Sequence, residues 1–289
     1  DPTVDPLAAA VTRTVATAAP EAVADVAVTV ADLFGRATAP AVATDWLHAL
    51  LAVADETTLP PSAGDGIAAG IRRHDAAAIR TDGLAALTGI DFGPAEAATH
   101  VDAVLAGLDA LGGEEAAGSD PNGDLATAAI ATLGDACRAD ADVVADRAGE
   151  LAAAAVDHQD APLERRVAIL AAVAATDPSA VAGETPVVSA ALTGNGPEAR
   201  ADALAALRAV SDANPAAVAD HTAAVLSALE TLCETADPDA TEEVTPEVTD
   251  ALSVLLYAAD EARSVGDDAA RVGSLLADVP DVATPVGEA

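Results

Sequence analysis

Residues 200–233 read Arg200-Ala-Asp-Ala-Leu204-Ala-Ala-Leu207-Arg-Ala-Val210, then Ser211-Asp-Ala-Asn214-Pro215, then Ala216-Ala-Val218-Ala-Asp220-His221-Thr222-Ala-Ala-Val225-Leu226-Ser-Ala-Leu229-Glu230-Thr-Leu232-Cys233. The outer segments predict two helices and the middle one a tight polar turn. In the second helix Val218, Thr222, Val225, Leu226, Leu229, Leu232 and Cys233 fall at i, i+4, i+7, i+8, i+11, i+14 and i+15, one continuous stripe. A lone two-helix hairpin has nothing to bury that stripe against, so the pattern demands neighbours of the same kind.

The rest of the chain supplies them. Arg80-Thr-Asp-Gly-Leu84-Ala-Ala-Leu87-Thr-Gly-Ile90 matches the first helix at the arginine, the aspartate and the Leu-Ala-Ala-Leu core, and Arg166-Val-Ala-Ile-Leu170-Ala-Ala-Val173 is a copy without the aspartate. Each is followed by a proline-bearing turn (Pro94, Pro178, Pro215) and a second apolar phase, such as Val101, Val104, Leu105, Leu108 and Leu111, or more weakly Val181, Val187, Val188 and Leu192. Looser starts at Leu47, Ile130 and Leu252 give a series 47, 84, 130, 170, 204, 252, with spacings of 37, 46, 40, 34 and 48. A first unit runs from Leu7 through the Pro20 turn to Phe34, which makes about seven helical hairpins. Proline suits the first position of a helix, where its missing N–H costs nothing, and Asp177 and Asn214 are the expected N-caps.

Two stretches interrupt the series, 112–124 and 234–247, rich in Gly, Pro and acids and read as surface loops. Gly64-Asp-Gly66 and Gly194-Asn-Gly-Pro197 are read as turns between helices. The reading is a single domain over 1–279 and a frayed, aperiodic tail over 280–289.

Composition agrees with helices. Only Trp46, Tyr257, Phe34 and Phe92 are aromatic, so the core must be made of Ala, Val and Leu, and alanine is the best helix former. No sustained alternation signals strands. The fold class is all-α.

The chain carries 48 acids against 13 basic residues, a net charge of −35, and every basic residue is arginine. The acids are spread along helices whose other face is apolar, unlike a disordered acidic tail. This favours a protein of an extreme halophile, because at molar salt the Debye length falls to about 3 Å and carboxylate self-repulsion is screened. Cys137 continues the stripe of Ile130 and Leu133, and Cys233 ends the stripe above, so both read as small core residues. Nothing in the sequence supports a disulfide between them, and a reduced, high-salt cytoplasm of haloarchaeal type is the expected setting. The longest apolar run, Val167 to Ala175, is too short for a membrane span. The chain contains no methionine, so it reads as processed or as a fragment.

Hairpins of about 40 residues with a proline-bearing turn resemble HEAT repeats. Pro197-Glu-Ala-Arg200 with Leu204 and Leu207 is similar to the P-E-x-R opening of that group. The resemblance implies a right-handed α–α superhelix whose second helices line a concave face. It also implies an arginine ladder between adjacent units, here Arg80, Arg166 and Arg200, with acids from the turns as partners.

Enzymatic motifs are missing from the sequence. HEAT-like di-iron hydroxylases carry His-Glu pairs, but His48, His74, His100, His158 and His221 are followed by Ala49, Asp75, Val101, Gln159 and Thr222, so no metal is expected. Asp120-Pro-Asn122-Gly-Asp124 opens like a calcium loop, yet the turn glycine position holds Leu125 and the bidentate glutamate position Ala131. No phosphate loop, dinucleotide fingerprint or nucleophile elbow is present, so no cofactor and no catalytic residue is expected. HEAT-like DNA glycosylases hold a duplex in a basic groove. The Arg72, Arg73, His74 and Arg80 cluster, with Arg165 and Arg166, offers too few cations for that, so nucleic acid is disfavoured as partner. Trp46 is expected to pack in the N-terminal core rather than to stand exposed.

The expected role is a non-enzymatic scaffold that binds another protein or peptide. Acids on the second helices (Asp25, Asp32, Asp102, Asp109, Asp142, Asp146, Glu150, Asp220, Glu230) would make the concave face negative, which suits an arginine-rich segment. The competing expectations are a nucleic-acid-binding or DNA-repair protein on the same architecture, and a structural subunit that stacks through apolar end-repeats.

Overall fold

The structure, a computed structural model, describes residues 6–112, 121–235 and 246–261. Among them there are sixteen α-helices, a few 3-10 turns and no strand. Residue contacts divide the chain into two compact units, Asp1–Asp146 with Asp157–Pro162, and Arg147–Val156 with Leu163–Ala289. The division falls within α10 (Ala141–Asp157), where Arg147 leaves helical geometry at φ −125°, ψ 19°. It does not fall at the Gly- and Pro-rich 112–124 stretch.

In the first unit α1 (Pro6–Ala18), α4 (Pro40–Ala54), α6 (Ala77–Thr88) and α9 (Pro121–Ala139) pack one on the next. A second row, α3 (Ala27–Arg36), α5 (Gly64–Arg73) and α8 (Val101–Gly112), packs across them, while the short α2 (Glu21–Ala24) packs on α1 and α4, and α7 (Pro94–Ala98) on α9. Leu47, Leu50, Ile67, Leu84, Leu87, Ile130 and Leu133 are fully buried between the rows. Each such side chain contributes roughly 2 kcal/mol through removal from water.

Small residues set how close neighbouring helices of the second row come. A β-carbon on Gly66 would lie 2.5 Å from the Ala31 carbonyl carbon, and one on Gly35 would lie 2.6 Å from the Gly66 carbonyl oxygen. Backbone therefore meets backbone where α3 crosses α5, through Ala31 and Gly35 on one helix and Gly66 on the other, while Gly70 makes room for the Phe34 ring. Gly64-Asp-Gly66 is consequently not a turn. It is the first turn of α5, and its glycines make room for α3 and for the Phe92 and His100 rings.

The second unit repeats the plan with α11 (Leu163–Thr176), α14 (Pro197–Ala213) and α16 (Pro246–Glu261) in one row. Opposite lie α12 (Pro178–Val181), α13 (Thr185–Ala190) and α15 (Thr222–Thr235). Pro178 and Pro197 occupy first helical positions, and the Asp177 carboxylate caps α12 by accepting from the Ser179 amide at 3.1 Å. Asn214 stands at its expected N-cap position but makes no side-chain cap bond.

The second helix of the opening stretch begins later than its stripe suggests. Residues 215–217 and 219–221 form two 3-10 turns, and α15 starts at Thr222. The cause is tertiary. The Ala217 carbonyl, which an α-helix would use for the His221 amide, accepts instead from the Thr185 hydroxyl of α13 at 3.0 Å. The His221 amide turns to Val218 at 2.9 Å. Val218, Val225, Leu226 and Leu229 are all buried as the stripe requires.

Both inserts are shorter than expected. α8 runs to Gly112 and α9 starts at Pro121, so Pro121 to Asp124 is a helix start rather than a loop, with Asp124 beside the positive end of the dipole. Likewise α15 reaches Thr235 and α16 starts at Pro246. The remainder of both inserts and the 280–289 tail lie outside the described residues.

Candidate functional site

Arg80, Arg166 and Arg200 occupy one position, the fourth residue of α6, α11 and α14. From there Arg80 donates from Nε to the His74 carbonyl at 2.7 Å, at the end of α5, and pairs with Asp75 at 2.8 Å. Arg166 is buried and donates to the carbonyls of Ala155 at 2.6 Å and Val156 at 3.4 Å, in the last turn of α10. Burial lowers the Arg166 pKa, and the bonded carbonyls are the natural counterpart of its charge, because a helix C-terminus carries partial negative charge. Arg200 has no hydrogen-bond partner at Nε. Arg80 and Arg166 therefore close the end of the preceding helix, and Arg200 does not. Of the turn acids expected as their partners, only Asp75 takes that part among the described residues.

Charge pairs do join consecutive helices of one row, on residues that the repeat alignment does not single out. Arg13 of α1 meets Asp45 of α4 at 2.7 Å, Arg208 of α14 meets Asp250 of α16 at 2.6 Å, and His48 of α4, which makes an ion pair only when protonated, lies 3.6 Å from Asp82 of α6. All three are partly exposed, where such pairs add about 0.2–1 kcal/mol. The only sequence signal was opposite charge at unaligned positions of successive first helices.

The basic cluster is largely engaged in structure. Arg73 donates from Nε to the Gly35 carbonyl at 2.8 Å, closing α3 as Arg80 closes α5, while Arg72 is exposed. Trp46 lies in the middle of α4, is buried as expected, and leaves Nε1 without a partner.

Histidines are dispersed. His74 is buried against Phe34, with ring centroids 6.3 Å apart, and its Nε2 has no partner. His100 is buried 4.8 Å from the Phe92 ring. Burial lowers the pKa of His74, His100 and His158, so all three favour the neutral form. No group of three metal-binding side chains converges among the described residues. Cys137 is buried, carries a free thiol and has its pKa pushed up to about 11 by burial. The Cys233 side chain lies outside the described residues.

The acids picked out for partner binding are mostly at the surface. Asp102 and Asp109 are exposed one above the other on α8, and Asp142 and Asp146 are exposed four residues apart on α10, all in the first unit. In the second unit Glu230 is half-buried on α15, and Asp220 is exposed on a 3-10 turn rather than on a helix. The same unit has a shallow, open depression of about 290 Å³ lined by Ala205, Arg208, Ala209, Asp212 and Asp250, two of which, Arg208 and Asp250, pair at 2.6 Å. No family model, curated protein or solved structure matches the chain. No helix of the described residues is long and apolar enough to cross a membrane.

Proposed function

We propose that this protein is a non-enzymatic scaffold or adaptor of HEAT-like architecture, a right-handed α–α superhelix of about seven hairpins that binds another protein through its second helices. The observation that carries the reading is the pairing of exposed carboxylates on the second-row helix α8 (Asp102, Asp109) and on α10 (Asp142, Asp146). Rows of like helices packed in succession within each unit support the repeat architecture. An extended surface bearing carboxylates suits an arginine-rich segment, whose guanidinium groups pair two-pronged with carboxylates. The net charge of −35 without lysine supports a high-salt, haloarchaeal-type cytoplasm as the working environment.

The test is affinity purification in molar KCl with the wild type and an Asp102→Arg/Asp109→Arg/Asp142→Arg variant, followed by titration of the recovered partner or an arginine-rich peptide. Partners held by the wild type should be lost by the variant. The same partners at the same strength on both proteins would sink the reading.

A further inference from the structure

We propose that Asn195 is a self-modification site, at which the backbone nitrogen of Gly196 displaces the side-chain amide nitrogen and leaves a carboxylate ahead of α14. The chain holds four pairs in which a side-chain carbonyl precedes glycine: Asp65-Gly66, Asp82-Gly83, Asn122-Gly123 and Asn195-Gly196. Glycine favours closure of a ring onto that carbonyl, because it has no β-carbon to obstruct its nitrogen and its backbone turns freely. Three of the pairs are fixed inside helices, in α5, α6 and α9. A helical ψ of about −42° turns the following amide away from the side chain, so closure there would have to break the helix. Gly66 and Gly83 are held further by the Ala31 backbone and the Ile71 side chain. Of the four pairs, only Asn195-Gly196 lies outside a helix, in the turn between α13 and α14.

That turn leaves both reacting groups available. Gly196 is exposed, a β-carbon on it would meet nothing within 4 Å, and its amide donates to no group among the described residues. Gly194 takes the left-handed φ of 78°, and the Asn195 carboxamide folds back to donate from Nδ2 to the Thr193 carbonyl at 3.1 Å. Among the described residues, that exposed bond is the one ring closure has to break. In the step, the Gly196 nitrogen gives its proton to solvent and bonds to Cγ of Asn195. The Cγ–Nδ2 bond breaks, and Nδ2 takes a proton from water and leaves as ammonia. Water then opens the cyclic imide. Cleavage at Cγ leaves aspartate, cleavage at the main-chain carbonyl leaves isoaspartate, and neither outcome needs an oxidant or reductant. The remaining asparagine, Asn214, precedes Pro215, whose nitrogen carries no proton and cannot take this route. The new carboxylate stands just before Gly196, the N-cap of α14, which makes no side-chain cap bond, and so meets the positive end of that helix. The product is therefore compatible with the fold. This site is separate from the acidic residues on α8 and α10 and stands without the scaffold reading.

The experiment is incubation of the folded full chain in molar KCl at mildly alkaline pH, followed by peptide mapping with mass spectrometry and enzymatic methylation of isoaspartate. The mass change of NH2 to OH should accumulate in the peptide that carries Asn195, with isoaspartate at the same position. The Asn122 and Asn214 peptides should stay unchanged or lag several-fold. Converted protein should elute later on anion exchange, where Asn195→Asp marks the aspartate product. Gly196→Ala should slow the conversion several-fold with unchanged helical circular dichroism, since its φ of −62° and open surroundings accept alanine. In denaturant Asn122 should catch up with Asn195, because the helix that protects it is gone. An Asn195 that stays intact in the folded chain while the unfolded chain converts would overturn the proposal. So would an Asn122 that converts as fast as Asn195 in the folded chain, or a Gly196→Ala variant that converts at the wild-type rate.

Discussion

Arg166 reaches from the first turn of α11 to the Ala155 carbonyl, 2.6 Å away in the last turn of α10, and pairs with no carboxylate among the described residues. Arg80 repeats this on the His74 carbonyl, and Arg73, from the last turn of α5, reaches the Gly35 carbonyl in the last turn of α3. Helix ends leave carbonyls without intrahelical partners, and in a stack of short helices many ends are covered by the next element. An arginine near the start of the following helix has the length and the charge to serve them.

Replacing Arg166 by Met should lower stability by about 2 kcal/mol, the range for hydrogen bonds to a charged group whose acceptors stay buried. Arg200→Met should cost clearly less, because its Nε has no partner to lose. Denaturant midpoints at one fixed KCl concentration compare the two, and equal losses would contradict the helix-closing role.

Gly66→Ala should destabilise by roughly 2 kcal/mol despite alanine's better helix propensity, since its new β-carbon meets the immovable Ala31 backbone at 2.5 Å. Gly149→Ala in α10 meets nothing within 4 Å and should stabilise by about 0.5–1 kcal/mol. Thermal melts of the pair check the opposite signs.

Cys137 should resist a water-soluble thiol reagent in the native Cys233→Ser protein and react fully once unfolded. Burial pushes its pKa to about 11, so little thiolate exists at neutral pH. Reaction at the rate of a free thiol in the folded protein would show that α9 opens readily.

His74 has a pKa below its ordinary value, chiefly from burial and also from Arg73 beside it, while the bond to the Ala37 backbone and nearby Asp75 oppose the shift. Its neutral form therefore belongs to the fold. Above the unfolded pKa of about 6.5 both states are neutral, and stability is lost as pH falls below that value, because only the unfolded chain takes up the proton readily. Exposed carboxylates titrate lower and in the other sense, so the comparison is between Tm of the wild type and of His74→Asn from pH 7 to pH 5. The wild type should lose more over that interval, and parallel curves would contradict the burial of a neutral imidazole.

Helical periodicity is local, and it was legible along the chain. The all-α class, the apolar stripes, the proline-marked helix starts and the Asp177 cap all come from neighbours within a few residues. So do the core positions Leu84, Leu87, Leu204 and Leu207, which are fully buried. Relations between helices are set by partners distant in sequence, and these only the tertiary structure decided. Thr185 takes the Ala217 carbonyl and delays α15, Gly66 admits the Ala31 backbone, and Arg166 finds carbonyls instead of an acid. Alanine explains the division: it favours the helix strongly but says little about which helix lies beside it, because its small side chain lets several neighbours fit.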